Sequence, residues 1–228
     1  MTMKQNTDRI SIQVGLSGYS FKIYAGDEVS SSEWMSSDRI FTTSEFQKRY
    51  DAVDIAVFTP KVALVPEQFY SPETASRLLA DVVMLKENDR VESVSVPEYG
   101  AVMLYSNNIG ETLTRVVSET VMCVDGSKAS PLPVMYYMLK ELVKLQDYNK
   151  IIAAYMDGIL YLALAQGSTL LLCNSYKAPD FTTAQYFIFL AMKKLQLYPE
   201  MSSISFMTHL DYEQEMSLYR YFRSVEHI

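Results

Sequence analysis

Residues 151–176 read IIAAYM-DG-ILYLALA-QGS-TLLLCNSY, three apolar runs of strand length separated by two short polar breaks. Asp157-Gly158 is a dipeptide that accepts positive φ at both positions, as a two-residue hairpin turn requires. Gln166-Gly167-Ser168 makes the second break. The stretch therefore reads as a three-stranded antiparallel meander over 151–156, 159–165 and 169–176.

Downstream, Pro179-Asp180 punctuates the chain, and Asp180 caps a helix carrying Phe181, Phe187, Ile188, Leu190, Ala191 and Leu195. That helix ends near Leu197, because the residue before Pro199 is driven out of helical conformation. A strand over 203–207 follows, and Tyr212, Met216, Tyr219, Phe222 and Val225 then recur at helical spacing, predicting a helix over 212–225. From residue 150 to the end the order is strand, strand, strand, helix, strand, helix.

The front of the chain opens in the same way. Ile10, Ile12 and Val14 alternate with polar residues up to Ser17-Gly18, after which Tyr19, Phe21 and Ile23 alternate again, predicting a tight hairpin. A third strand is expected between 29 and 41, and a helix over 45–50 capped by Thr43 or Ser44. Further strands are expected at 54–58, 62–65, 91–96, 101–105 and 121–124, with helices over 71–84, opened by Pro72, and 110–118. Residues 131–146 place Leu132, Met135, Met138, Leu139, Leu142 and Leu145 on one helical face. The boundary between lobes 1–147 and 148–228 is expected in the polar stretch 147–150. Two tandem meanders, each followed by helix and strand elements, predict an α/β fold class with mixed sheets: a duplicated ribonuclease H-like fold in two lobes.

Composition bounds the function classes. A chain of 228 residues with 49% apolar and 21% charged residues is that of an ordinary globular protein. Its net charge of −7 argues against nucleic acid as the main partner, since neutralising phosphate needs clustered cations. The start is polar through Arg9, with no apolar stretch resembling a signal peptide, and no run is long and apolar enough to cross a membrane. A cytoplasmic location is expected, consistent with only two cysteines, Cys123 and Cys173, each in an apolar run where a buried small hydrophobe is the expected role. Seventeen tyrosines and 13 methionines are residues favoured both in cores and at partner surfaces. Both readings stay open here.

Three stretches, Val62-Ala63-Leu64-Val65-Pro66-Glu67-Gln68-Phe69, Leu170 to Tyr176, and Leu195-Gln196-Leu197, resemble an uncharacterised bacterial family, the domain of unknown function 3822. The resemblance implies the actin-like ATPase fold and no known activity. Proteins of that superfamily hold ATP between two lobes. They use an acidic-glycine hairpin loop in each lobe, whose backbone N–H groups cradle phosphates, and a glycine pair near the end that admits adenosine. Here the first loop reads Gln13-Val14-Gly15-Leu16-Ser17-Gly18, so Gly15, Ser17 and Gly18 remain as candidates without the acid that would hold hydrated magnesium. In the second lobe Asp157 and Gly158 are the candidates, although an Asp-x-Gly start falls on Ala154-Tyr155-Met156. The third device should lie at Met207-Thr208-His209-Leu210-Asp211, which has no glycine. Tight turns in place of phosphate loops are the simpler reading at both hairpins.

Other chemistry is sparse. His209 and His227 are the only histidines, and His227, one residue from the end, is expected to lack fixed structure. The acidic pairs Asp51/Asp54, Glu87/Asp89 and Glu213/Glu215 read as solvated surface, and Asp125-Gly126 as a turn. Trp34, in the serine-rich run 30–37, either anchors a partner or folds back onto its own lobe. No residue set identifies a reaction, no metal site is expected, and no cofactor is implied unless ATP and magnesium bind a remodelled phosphate site. The expectation is a non-catalytic pseudo-ATPase scaffold that pairs with itself or another protein. The alternative is a nucleotide-binding ATPase or sensor.

Overall fold

The computed structural model describes residues 8–107 and 111–228; the polar start through residue 7 and the helix opening expected at Gly110 lie outside them. In chain order the elements are β1 (Arg9–Val14), β2 (Gly18–Ala25), β3 (Glu28–Ser31), β4 (Met35–Ser36), β5 (Arg49–Tyr50), β6 (Ala52–Val57) and β7 (Val62–Pro66). There follow α1 (Ala75–Ala80), β8 (Glu92–Val96), β9 (Ala101–Tyr105), α2 (Glu111–Thr120), β10 (Met122–Cys123), β11 (Leu132–Pro133) and α3 (Val134–Lys144). The chain closes with β12 (Asn149–Met156), β13 (Ile159–Gln166), β14 (Thr169–Lys177), α4 (Phe181–Lys194), β15 (Ser203–Phe206), α5 (Tyr212–Tyr219) and β16 (Ser224–His227).

By contact the described residues fall into two compact units, one of 8–59, 88–90, 107 and 111–134, the other of 60–87, 91–106 and 135–228. In the first, β1 pairs antiparallel with β2, from Arg9↔Tyr24 to Val14↔Tyr19. On its other edge β1 pairs parallel with β6, from Arg9↔Ala52 to Val14↔Val57, and β6 pairs parallel with β11. The resulting order is β11-β6-β1-β2-β3, with β4 also on β2. Ile10, Ile12 and Val14 are fully buried, packed in one core with Phe21, Phe46, Ile55, Leu113 and Val117. Period-two alternation put them there.

The second unit repeats the plan. β12 pairs antiparallel with β13 and parallel with β15, and the sheet runs β14-β13-β12-β15-β16. Counting only the strands on each sheet's main path, both sheets read third, second, first, fourth, fifth. Here β13 is buried along nearly its whole length, Leu160 to Ala165, as a strand covered on both faces must be. Asp180 caps α4 by accepting the Thr183 N–H at 2.7 Å. The helix ends with Gln196 at φ 58 and the Leu197 N–H on the Met192 carbonyl at 2.9 Å, a left-handed C-terminal cap. This unit also holds the antiparallel sheet β7-β9-β8, with Leu79 of α1 fully buried against Val65, Val102 and Leu104. Position 147/148, where the lobe boundary is expected, lies between α3 and β12, inside the second of these contact units.

Four local expectations need correction. The helix expected over 212–225 stops at Tyr219, and β16 follows, parallel to β15 with Phe206↔His227. Phe222 and Val225 keep their helical spacing yet are buried from a turn and a strand, Phe222 against Phe189 and Val225 opposite Ile204. His227 is consequently ordered, 3.4 Å from Glu215. The helix expected from 131 begins at Val134, because Pro131 and Pro133 favour extended backbone and Leu132 pairs with Ala56. In place of a helix over 45–50, two 3₁₀ turns, Ser37–Arg39 and Ser44–Gln47, lead into β5. Phe46 is fully buried there, and the Tyr50 hydroxyl donates to the Glu45 carbonyl. The helix expected over 71–84 is a 3₁₀ turn, Pro72–Thr74, running into the shorter α1.

A chain ending at Arg223 removes β16 and the buried Val225, and should lose about 2–4 kcal/mol of stability in urea denaturation. A silent truncation would contradict the fifth strand.

Candidate functional site

The candidate residues occupy two hairpin turns. Gly15, Ser17 and Gly18 share the turn between β1 and β2, where the Gly15 N–H donates to the Gly18 carbonyl at 2.9 Å. Gly18 is a glycine for a steric reason. A Cβ placed there would sit 2.0 Å from the Met35 carbonyl oxygen and 3.0 Å from the Trp34 indole nitrogen. β4 pairs with β2 at this point, Gly18↔Ser36 and Tyr19↔Met35, and leaves no room for a side chain.

Trp34 folds back onto this turn. Its indole N–H donates to the Ser17 hydroxyl at 3.3 Å, and its ring meets Phe58 edge-on, centroids 6.4 Å apart. Of the two readings open for Trp34, the structure takes the intramolecular one. Gln13, standing where an acid would be expected, is an interior residue of β1, paired with Ser20 and Ala56.

Asp157 and Gly158 form the second turn. Both have positive φ, 51° and 72°, and Met156 pairs with Ile159 across them. That is a two-residue turn of the type Asp-Gly favours. The Gly158 carbonyl accepts the Ala178 N–H at 2.8 Å. Just before the turn, the Tyr155 N–H donates to the Thr208 hydroxyl at 3.0 Å and the Tyr155 hydroxyl donates to the Ala178 carbonyl at 3.0 Å.

The third position is filled as well. Thr208 and Leu210 are buried, the Met207 N–H donates to the Ala153 carbonyl, and Asp211 and Gln214 close a reciprocal capping box on α5. His209 lies exposed between its buried neighbours.

Several other titratable groups are engaged by near neighbours. Asp54 holds Arg9 at 2.6 Å, and Asp51 accepts the Asp8 N–H. A hydrogen bond from the Ser127 hydroxyl, and next the Ser127 N–H donating at 2.8 Å, hold the Asp125 carboxyl below the usual range. Both cysteines are free, and burial pushes the Cys173 thiol up to about 12. Among the described residues no group of three His, Cys, Asp or Glu side chains gathers to hold a metal. In the first unit a cavity of about 430 Å³ lies between the strand residues Phe21 to Ser32 and the turns at 39–45, where no motif marks it.

The family model described as "Protein of unknown function (DUF3822)" matches residues 2–225, so the chain belongs to that family. No curated protein matches the sequence. Among solved structures, a Bacteroides thetaiotaomicron protein with actin-like ATPase fold and unknown function is similar at TM-score 0.68 and 16% identity, over 100% of this chain and 94% of that one. The cytoplasmic domain of EpsL, an inner membrane component of the type II secretion system of Vibrio cholerae, is similar at TM-score 0.51 and 12% identity, over 90% and 83%. The PilM–PilN type IV pilus biogenesis complex contributes a chain similar at TM-score 0.54 and 13% identity, over 98% and 88%. The fold is that of the actin-like ATPases.

Gly18→Ala should destabilise the chain by about 2–4 kcal/mol, against about 1 kcal/mol for Gly158→Ala, where only the backbone conformation is at stake. Urea denaturation of the two variants separates the cases, and equal losses would remove the steric role of Gly18. Cys173, protonated throughout the neutral range, should react with a thiol reagent at pH 8 many-fold more slowly than in urea. Equal rates would show an accessible thiolate.

Proposed function

We propose that this member of the family is a non-catalytic actin-like scaffold, a pseudo-ATPase that acts by binding protein. The observation that supports this most is the first hairpin turn, where Trp34 and Met35 occupy the space beside Gly18 that a phosphate loop would keep open. The second turn has the two-residue form, and the final strand-to-helix turn is packed with Thr208 and Leu210. Fold alone does not carry an activity. A lobe that has closed the openings for nucleotide retains a rigid surface on which to bind something else.

Two of the similar structures come from assemblies, a secretion system and a pilus biogenesis complex, which supports a role in association. Tyr186, Tyr212, Tyr219 and Tyr221 are exposed around α4 and α5, together with Met216. Tyrosine and methionine offer large, adaptable contact area. The partner on this reading is a protein, a second copy included. No helix among the described residues is long and apolar enough to cross a membrane, and we place the scaffold in the cytoplasm.

The second reading, a nucleotide-binding ATPase or sensor working through Gly15, Ser17, Gly18, Asp157 and Gly158, is favoured by the fold itself. One titration separates the two. Trp34 is the sole tryptophan and lies on the first turn, so its fluorescence reports directly on anything that opens that turn. With Mg-ATP at about 1 mM, the emission and the melting temperature should stay unchanged, whereas occupancy at 100 times Kd would add about 2.7 kcal/mol. A saturable emission change with a raised melting temperature would sink the pseudo-ATPase reading.

A further inference from the structure

We infer that the cavity in the first unit is a binding site for a small zwitterion with an apolar body, a free amino acid being the simplest. Its floor is apolar, made by Phe21, Ile23 and Met35, and its rim carries Arg39 and Glu45. The inference is separate from the question of ATP.

The walls are held in place before any ligand arrives. Phe46, fully buried, packs on Tyr19 and Phe21 with ring centroids 5.1 and 5.5 Å away. The Thr43 hydroxyl bonds the Tyr19 hydroxyl at 2.6 Å and donates to the Arg39 carbonyl at 3.0 Å. On the facing wall Ser32 is fixed from both sides, its N–H on the Phe21 carbonyl and its hydroxyl accepting the Phe21 N–H, each at 2.9 Å. A volume of about 430 Å³ is within the range of small-molecule sites and ample for an amino acid.

The charges on the rim carry the ligand class. Arg39 and Glu45 have opposite signs and line one cavity, yet no ion pair joins them. Among the described residues the Arg39 guanidinium makes no hydrogen bond, and the Glu45 carboxylate accepts one side-chain bond, from the Ser44 hydroxyl at 2.9 Å. The hydroxyl of Ser30, opposite Ile23 in the register of β2 and β3, is likewise without a partner among the described residues. A guanidinium binds a carboxylate through paired donors, and a carboxylate binds an ammonium. A ligand carrying both groups meets the two charges at once, with Ser30, on the Ile23 face of the sheet, placed to bond its polar atoms and the aromatic and aliphatic floor covering its side chain. A simple anion would leave Glu45 opposed, and a simple cation would leave Arg39 opposed.

The test is an amide-resolved NMR titration of the whole chain with L-leucine, N-acetyl-leucine and leucinamide. Leucine should saturate with shifts concentrated in residues 19–46, and each blocked analogue, lacking one charge, should bind about tenfold or more weakly. Arg39→Gln should weaken leucine by a similar factor and strengthen leucinamide, whose charge Arg39 opposes, and Glu45→Gln should weaken leucine and strengthen N-acetyl-leucine. Arg39 is exposed and Glu45 half-buried with one local side-chain bond, from Ser44, so both variants should melt close to the parent. No saturation by about 10 mM leucine, shifts centred elsewhere, or equal binding of the blocked analogues would each overturn the inference.

Discussion

Each of the two larger sheets depends on its first strand being hydrogen-bonded along both edges. β1 lies between an antiparallel partner, β2, and a parallel one, β6; β12 lies in the same way between β13 and β15. An antiparallel partner can follow through a two-residue turn, but a parallel partner must return through a crossover. The meander therefore comes first and the crossover after it, and the strand order follows. The chirality and adjacency that govern such connections leave little other freedom.

This constraint explains which parts of the fold are legible in the sequence. β12, β13 and β14 read clearly because the turns between them demand residues with positive φ, and Asp157-Gly158 and Gly167 supply them. β1 and β2 read through alternation. β16 and β11 do not. They are four and two residues long, pair only in parallel, and owe their extended form to neighbours distant in sequence. Val225 carries no local mark separating a strand residue opposite Ile204 from the last turn of a helix. In the same way nothing in Thr43 to Tyr50 announces that Phe46 will pack on Tyr19 and Phe21, which sets the 3₁₀ geometry there.

The candidate site is legible in position and opaque in role. Gly15, Ser17 and Gly18 stand out as turn residues in any reading. The reason for Gly18 is an approach by Met35 and Trp34 that exists only once β4 has docked on β2. Asp157-Gly158 is the opposite case: its role is local, and its dipeptide states it. The cavity beside Arg39 leaves no motif at all, since it arises from two segments folded over one face of β2. Its one trace in the sequence is the run of serines at 30–32, a run that equally marks a loop.

The three turns where the family resemblance would place a nucleotide share one property. In each, the groups it would use are engaged by the chain itself: Ser17 by the Trp34 indole, the Tyr155 N–H by the Thr208 hydroxyl, and the last turn by the Asp211–Gln214 cap. Breaking one such bond costs about 1 kcal/mol net, more where a buried group is left unpaired. At the first turn a phosphate would have to displace the Trp34 indole from Ser17, and also the carbonyl of Met35 from beside Gly18, before making any contact of its own. A phosphate-binding loop works in the reverse sense, its donors arranged and unspent before the ligand comes. On the inference drawn above, the donors and acceptors arranged for a ligand in the first unit are instead those of Arg39, Glu45 and Ser30, which line one cavity.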